Sequence, residues 1–369
     1  MKKILLYTLM TVAAAGMTAC EDFLTRDTYD QIGSDEFWKS ETDLELYANG
    51  FIQKMIPGDG TITRGDIDAD YCAVDIATDL LRPDGNVSPD NQGGWTESSW
   101  TNLRRVNYML DNMHRCRGRV SDEVYNHYEG VARFWRAWFY YDKVRTFGAV
   151  PWYDFTISAS DKEALTKPRD SREYVMDKVL EDLTFASTYC LADAKYTKGS
   201  ALINKWVALA FKSRVCLYEG TFRKYHGIAD ETIDGVTISA DYFLQLAADA
   251  AWAVMEQNKY SLYKGNTLKL DAPYREYFIL EDGDAKETIL SMRFNADILV
   301  RHGIQFTFRN MRHSATQRLV NHYLMADGSK IQDQPGYETM TYNQQFQNRD
   351  PRMAQTLMAP GYVDLNGID

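Results

Sequence analysis

A polar loop around Trp95 contains the residues whose types best suit ligand binding. The run from Asn91 to Trp95 (Asn-Gln-Gly-Gly-Trp) places an indole in a flexible segment just before a helical pattern that starts near Ser99. An indole offers a flat apolar face, and the neighbouring amides offer hydrogen-bond donors and acceptors. This combination suits a sugar, which has apolar C–H patches on its faces and hydroxyls on its rim. The alternative is that Trp95 folds back onto the helix and fills a small core, and the sequence leaves both open.

A second long loop could supply further contacts. Residues 57–97 and 259–312 are rich in Gly, Asp, Asn and Tyr and carry little helical pattern. Loops of this length within a compact domain are usually functional. We therefore expect a ligand site that draws on both loops. The residues predicted to bind the ligand are Asn91, Trp95, Tyr274, Tyr277 and Arg309.

No catalytic motif accompanies these loops. The sequence lacks G-x-S-x-G, H-E-x-x-H, a P-loop and a strand-linked G-x-G-x-x-G, and its six histidines show no ligand spacing on a shared helix face. The segment from Asp66 to Asp70 opens like a calcium loop, but Tyr71 stands where glycine is needed and Ala77 where glutamate is needed. We expect no catalytic residues, no cofactor and no metal. A carboxylate pair of a glycoside hydrolase stays open, because its separation depends on the fold.

The N-terminal segment has the pattern of a lipid-anchored export signal. Two lysines precede an apolar run from Ile4 to Met17, which is shorter than the ~20 residues that a membrane-spanning helix needs. Residues 17–20 (Met-Thr-Ala-Cys) are similar to a bacterial lipobox, with Met where Leu is usual. Cleavage before Cys20 would leave an N-terminus carrying acyl chains, and more than one chain gives stable anchoring. We predict a signal peptide over residues 1–19 and lipidation of Cys20. Secretion with an unmodified Cys20 is the alternative.

Composition and charge narrow the possible ligands. The chain has 369 residues, of which 45% are hydrophobic and 25% charged, so it is globular and long enough for two or more packed units. Its net charge of −11 argues against nucleic acid, because phosphate binding needs a basic face. The net negative charge also disfavours strongly anionic polysaccharides as ligands. The loop arginines that could still form a local basic patch are Arg64, Arg82, Arg301, Arg309 and Arg312.

Helical periodicity dominates the elements that must position these loops. Apolar residues recur at i, i+3, i+4 and i+7 in six segments, near residues 34–56, 99–113, 121–148, 175–186, 202–217 and 240–258. Short alternating patterns near residues 289–294 and 304–308 predict minor β structure. The sequence therefore predicts a mainly α fold of tetratricopeptide-like helical pairs, with long ligand-binding loops. The tryptophans on the apolar stripes, and so predicted to be in the core, are Trp100, Trp135, Trp138 and Trp206.

Short motifs spread over the whole mature chain point to one family. They are Cys20 to Leu24, Trp100 to Asn107 (with Arg104 where Tyr is usual), Arg133 to Tyr141, Phe147 to Pro151, Leu217 to Gly220, Thr316 to Gly328, and Asn348 to Arg352. Together they resemble the SusD/RagB family of outer-membrane nutrient-binding lipoproteins. One departure is Arg26-Asp27, which stands where the family often has Pro.

This resemblance implies a function and a location. A SusD-like protein is a surface-exposed, non-enzymatic lipoprotein of the outer membrane, held by acylated Cys20, that captures an oligosaccharide and delivers it to a SusC-like TonB-dependent transporter. Its tetratricopeptide-like helices would contact the transporter, while loops on another face hold the ligand. RagB-like peptide binding is the alternative, and a surface glycoside hydrolase is a third possibility.

The same resemblance suggests a division of the chain. It implies a SusD-like N-terminal helical domain over residues 20–220 and the start of a C-terminal domain over residues 221–369. Family members normally continue well beyond the R-D-P-R segment at 349–352. We therefore expect the second domain to be incomplete in this chain.

Overall fold

Helices account for most of the ordered elements. The computed structural model describes residues 37–56, 69–74, 78–85, 88, 93–197, 201–265, 273–280, 283–294 and 313–362. The helices are α1 Glu41–Met55, α2 Glu97–Asn112, α3 Asp122–Phe147, α4 Lys162–Leu165, α5 Arg172–Tyr189, α6 Ala194–Thr197, α7 Lys205–His226, α8 Ala240–Met255, α9 Pro273–Phe278, α10 Gln317–His322, α11 Tyr342–Gln345 and α12 Pro351–Thr356. Short 3-10 turns are Met113–Cys116, Ile331–Asp333 and Tyr337–Thr339. The prediction of a mainly α fold is confirmed.

The strands form two small antiparallel pairs. In one pair β1, Cys72–Val74, lies against β4, His313–Ala315; in the other β2, Glu231–Ile233, lies against β3, Val236–Ile238. The prediction of a strand over residues 289–294 is wrong, because this segment is irregular. Its Ile289 and Leu290 pack against the core. Core contact therefore accounts for their apolar character without a strand ladder. The predicted strand at 304–308 lies outside the described residues.

Side-chain caps define where the long helices begin. The Ser121 hydroxyl accepts a hydrogen bond from the Val124 amide at 3.3 Å and so caps α3, which ends at Gly148 as predicted. Ser40 caps α1 by accepting from the Asp43 amide, while the Asp43 carboxylate accepts from the Ser40 amide. These reciprocal bonds satisfy amides that a helix start otherwise leaves unpaired. The apolar pattern near residues 34–56 predicts an earlier start for α1 than Glu41, and Ser34 itself lies outside the described residues.

Helices α3 and α5 form an antiparallel pair joined by a buried ion pair. Arg136 donates two hydrogen bonds to the two carboxylate oxygens of Asp182, at 2.7 and 2.8 Å. One to two turns away, Gly130 of α3 packs against Ala186 and Cys190 at the end of α5. Because rising numbers on α3 meet falling numbers on α5, the helices run in opposite directions. A bidentate arginine pair fixes their register as well as neutralising both buried charges.

Helices α7 and α8 form the next antiparallel pair. The Ser213 hydroxyl donates to the Ala247 carbonyl at 2.8 Å, and Gly220 lies against Leu244 and the Ala240 carbonyl. This close crossing depends on the missing side chain of Gly220. Together with α3 and α5, these helices give the paired arrangement that the sequence predicts.

The main core lies where α1, α2, α3, α5 and α7 meet. Trp135 is fully buried, whereas Trp100, Trp138 and Trp206 are partly buried and pack at the margins of hydrophobic clusters. The prediction that all four belong to the core therefore holds in full for Trp135 only. Three cysteines of the described part, Cys116, Cys190 and Cys216, are buried free thiols. Within the described ranges, no helix combines the length and apolar character needed to span a bilayer.

Candidate functional site

A groove of about 700 Å³ lies between α2 and the segment that follows α3. We call it the Trp95 groove. This volume lies within the usual range for small-molecule sites, about 300–1,000 Å³. The groove lining includes Trp95, Glu97, Trp100, Arg104, Asn107, Tyr153, Phe155 and Lys167.

The Trp95 ring packs against other aromatic rings and remains partly exposed to solvent. Its ring meets those of Trp100 and Phe147 edge to face, with centroids 5.4 and 4.9 Å apart. The Arg169 guanidinium lies over the same ring, 4.8 Å from its centroid. The residue retains 36% exposure. Each of the two alternatives for Trp95 therefore describes part of its environment, since the ring packs against α2 and also borders the groove.

Gly94, the residue before Trp95, is held by a side chain of α3. Gly94 has a φ of +93°, and a Cβ there would lie 3.4 Å from the Phe147 ring. The Lys143 ammonium donates a hydrogen bond to the Gly94 carbonyl oxygen. This ammonium also lies 5.3–5.6 Å from the ring centroids of Trp100, Phe139 and Phe147. Burial lowers the pKa of Lys143. The three rings and the Gly94 carbonyl oxygen together offset the cost of burying the Lys143 charge.

The opposite wall is an extended segment held by side chains of α2. Asn107 is buried and donates to the carbonyls of Tyr153 and Phe155, both at 2.9 Å. Asp111 accepts a hydrogen bond from the Thr156 amide at 2.8 Å. These bonds replace the strand ladder that an extended segment otherwise needs. Phe155 is thereby fixed with 43% of its surface exposed beside the groove.

Positive charge borders the groove on both walls. Arg104 of α2 donates to the Ile157 carbonyl across the groove at 2.5 Å. Lys167 forms an ion pair with Asp170 at 2.6 Å. Arg104 and Arg169 form no ion pair with any described residue, and Glu97 is the one carboxylate in the described lining.

Tyr274 and Tyr277 do not line the Trp95 groove. Both lie on α9, where Tyr274 is 43% exposed and packs edge to face on Phe278. Tyr277 lines a separate groove of about 420 Å³ beside Trp138 of α3, and its hydroxyl lies 3.1 Å from that of Thr288. Their assignment to a ligand site stays a prediction, without support from proximity to Trp95.

The first loop contacts the segment that follows the second loop, outside the lining of the Trp95 groove. Strand β1 belongs to the first loop, and β4 follows directly after the second. The Thr316 amide donates to the Tyr71 carbonyl at 3.1 Å, and Arg318 forms an ion pair with Asp70. These contacts lie outside the lining of the Trp95 groove, so a ligand site that draws on both loops stays a prediction.

Several predicted residues lie outside the described part of the chain. They are Cys20, Asn91 and Arg309, as well as Asp66, Asp68, Arg64, Arg301 and Arg312. Arg82 is described, and it pairs with Asp79 and Asp84 at 3.1 and 3.3 Å. Within the described ranges, no three histidine, cysteine, aspartate or glutamate side chains cluster closely enough to hold a metal ion.

Sequence reasoning missed most of the groove. Arg104, Lys143, Phe155 and Arg169 received no role in the ligand site. Lys143 did carry a signal, since it is a cation within an otherwise apolar and aromatic helix face. Phe155 carried a weaker one, because Tyr153, Phe155 and Ile157 alternate with polar residues directly after the turn that ends α3.

Two solved structures share this architecture. A SusD-like protein from Bacteroides fragilis superposes with a TM-score of 0.64 at 21% identity, covering 89% of this chain and 63% of that one. A SusD-like carbohydrate binding protein from the same species gives a TM-score of 0.63 at 17% identity, with coverages of 86% and 60%. At these identities the likeness establishes the fold.

Sequence comparison extends the relationship. SusD-like protein P2 of Formosa agariphila is 27% identical over 245 residues, which are 63% of this chain and 46% of the relative. SusD-like protein P25 of the same organism is 24% identical over 220 residues, 54% of this chain and 40% of the relative. The chain thus spans less than half the length of these relatives.

Family comparison covers two separate parts of the chain. Residues 308–367 match the SusD family. Residues 22–217, more than half of the chain, match a SusD-like family described as starch-binding and associating with the outer membrane. The chain belongs to this SusD-like family.

Proposed function

We propose that this protein is an outer-membrane lipoprotein that binds an oligosaccharide in the Trp95 groove and delivers it to a SusC-like TonB-dependent transporter. In this proposal Cys20 carries the acyl anchor and the protein performs no catalysis. Carbohydrate binding is the property named for one similar structure and in the description of the family.

The observation that carries the proposal is the fixed, partly exposed ring of Trp95. Its backbone is held by Lys143 through Gly94, and its ring by Trp100 and Phe147. A ring positioned before the ligand arrives loses little conformational entropy on binding. The apolar faces of a sugar can pack on such a ring, while its hydroxyls meet polar groups at the rim of the groove.

The other lining residues give the groove a complementary surface. Phe155 adds an exposed ring, and Arg104 and Lys167 add hydrogen-bond donors. A mixture of aromatic and polar groups is typical of sites that bind small ligands. A peptide ligand would be expected to rely on charged and backbone-pairing groups rather than on exposed rings.

A glycan array with the purified mature protein tests the proposal. We expect binding to a defined oligosaccharide class, followed by titration calorimetry of the best ligand. Trp95→Ala should reduce affinity about ten- to hundredfold if stacking contributes as it does for nucleic acid bases, about 1–3 kcal/mol.

Trp252→Ala is the matched control. Trp252 is 62% exposed on α8 and lies outside the groove, so this variant should bind like the unmodified protein. Unchanged affinity of a folded Trp95→Ala variant would move the site elsewhere. Binding to peptides and to no glycan would favour the RagB-like alternative.

The transporter partnership needs a separate experiment. The lipoprotein would be purified in mild detergent from the outer membrane of its own cells, and co-purifying proteins identified by mass spectrometry. We expect a TonB-dependent transporter at near-stoichiometric amount. Its absence from crosslinked preparations would contradict delivery while leaving glycan binding intact.

A further inference from the structure

We propose that the Trp95 groove selects glycans that carry anionic groups, either carboxylates or sulfate esters. This inference rests on the proposed function and specifies its ligand class. The chain as a whole carries a net charge of −11, so a groove bordered by arginines that form no ion pair with a described residue departs from the average surface.

Arg104 supplies the first cation. Its guanidinium carries five N–H donors, and the structure assigns one of its nitrogens to the Ile157 carbonyl at 2.5 Å. That bond fixes the side chain across the groove without neutralising its charge. Arg104 forms no ion pair in the part of the chain that the structure describes. The remaining donors suit a carboxylate or a sulfate, which a guanidinium can bind through two parallel hydrogen bonds.

Arg169 supplies the second cation. Its guanidinium lies over the Trp95 ring, 4.8 Å from the centroid, and it too lacks an ion pair with a described residue. A sugar that packs against the exposed part of Trp95 would therefore bring its substituents close to this charge. The Trp95 side chain thus links the apolar contact and the anion contact at one position.

The nearby carboxylates do not cancel these charges. Asp170 is occupied by Lys167 at 2.6 Å. Glu97 remains as the one carboxylate of the described lining, seven residues before Arg104 on the same helix. The buried Lys143 beneath Gly94 adds a further positive charge near the floor. In the described lining, two cations, Arg104 and Lys167, therefore accompany one carboxylate.

Paired probes that differ only in charge test the inference. Oligogalacturonides would be compared with their fully methyl-esterified forms, and sulfated κ-carrageenan oligosaccharides with desulfated ones, alongside a general array of neutral and anionic glycans. The two pairs separate a carboxylate ligand from a sulfate ligand. We expect the bound glycans to be anionic, and their affinity to fall as NaCl rises, because salt screens exposed charges.

Three variants localise the effect. Arg104→Gln should weaken binding of the best anionic glycan about tenfold, as expected for loss of a charge-assisted hydrogen bond. Arg105→Gln removes the same charge from an exposed neighbour that lies outside the groove lining, and it should change affinity less than about twofold by comparison with surface charge pairs. Glu97→Gln removes a negative charge from the groove lining. It should therefore tighten binding of the anionic glycan about two- to fivefold, the size of effect expected for surface charge pairs. This gain cannot arise from misfolding.

The outcomes separate this inference from the proposed function. Binding restricted to neutral glycans, or binding of an anionic glycan that Arg104→Gln and Arg105→Gln weaken equally, overturns the inference and leaves glycan binding in place. Failure to bind any glycan on the array overturns both. Affinity for an anionic glycan that Arg104→Gln lowers and Glu97→Gln raises supports it.

Discussion

Lys143 donates a hydrogen bond to the carbonyl oxygen of Gly94 and thereby connects the central helix α3 to the residue that precedes Trp95. Its side chain passes among the rings of Trp100, Phe139 and Phe147. Trp95, which we propose faces the ligand, is therefore positioned by the core of the fold as well as by its own loop. Lys143 is a positioning residue in the proposed site.

Replacing Lys143 with Met should weaken glycan binding more than it weakens folding. The variant loses the bond to Gly94, so we expect about a tenfold loss of affinity for the best array glycan, equivalent to about 1.4 kcal/mol. Met keeps a long apolar side chain, and removing a buried charge offsets the lost contact, so the free energy of unfolding should change by about 1 kcal/mol or less. Calorimetric titration and thermal melting measure the two effects.

Lys178→Met controls for this substitution. Lys178 pairs with Glu181 on α5 and lies outside the groove lining, so its loss should leave affinity unchanged. Equal affinity of Lys143→Met and the unmodified protein would mean that Trp95 holds its position without this bond.

The close approach of α7 and α8 predicts opposite effects for two glycine substitutions. A Cβ on Gly220 would lie 2.7 Å from Leu244 Cγ and 2.9 Å from the Ala240 carbonyl oxygen. Because backbone must shift, Gly220→Ala should lower the free energy of unfolding by about 1–3 kcal/mol. Urea denaturation would measure this change.

Gly50→Ala provides the matched comparison. Gly50 lies within α1, and a Cβ there would have no atom within 4 Å. Alanine favours the helix by about 0.8–1 kcal/mol over glycine, so this variant should be more stable than the unmodified protein. If both substitutions shifted the urea midpoint in the same direction, the tight helix crossing would not explain the effect of Gly220→Ala.

A buried histidine gives folding stability a dependence on pH. Burial lowers the pKa of His127 to about 4, against an ordinary value of 6.5, although Glu41 and Asp193 partly oppose this shift. Between these pH values the unfolded chain binds a proton that the folded chain excludes. The stabilising contribution is therefore complete above pH 6.5 and is lost as pH falls toward 4, by at most about 3 kcal/mol.

His127→Asn should flatten this part of the stability profile. The asparagine oxygen does not titrate, and it can accept the hydrogen bond that the Leu191 amide gives to His127 Nδ1 at 3.1 Å. Asp177 acts with the opposite sign: burial raises its pKa to about 6 despite the nearby Arg223, so its contribution is lost as pH rises through 6. Chemical denaturation of the variant from pH 4 to 7.5 should show a smaller loss at acid pH. A loss as steep as that of the unmodified protein would assign the acid sensitivity to other groups.

The sequence was sufficient to predict the long helices because each carries its own signals. An apolar stripe, a serine cap and a terminating glycine lie within about 26 residues in α3. Such signals are local, and they do not depend on which other segments lie nearby. The antiparallel pairing of successive long helices followed from the same patterns.

The groove could not be predicted in the same way, because its walls are distant in sequence. Trp95 was identified from its glycine-flanked loop. Phe155 borders the groove because Asn107 and Asp111 hold the segment after α3 against α2. Nor did the sequence indicate that Tyr277 would face a different groove. Those placements depend on tertiary packing, which residue spacing alone does not encode.

The anchoring prediction concerns Cys20, whose sulfur is the expected attachment point for acyl chains. Cys20→Ala removes that sulfur, so we expect no incorporation of labelled palmitate and release of mature protein from membranes washed with high salt and carbonate. Cys72→Ala is the control, because Cys72 lies in β1, far along the chain from the expected anchor, and its replacement should leave labelling and membrane retention unchanged. Two or more acyl chains give stable anchoring, whereas a single chain binds membranes only marginally. Palmitate labelling of Cys20→Ala at the level of the unmodified protein, with retention on carbonate-washed membranes, would refute lipidation at this residue.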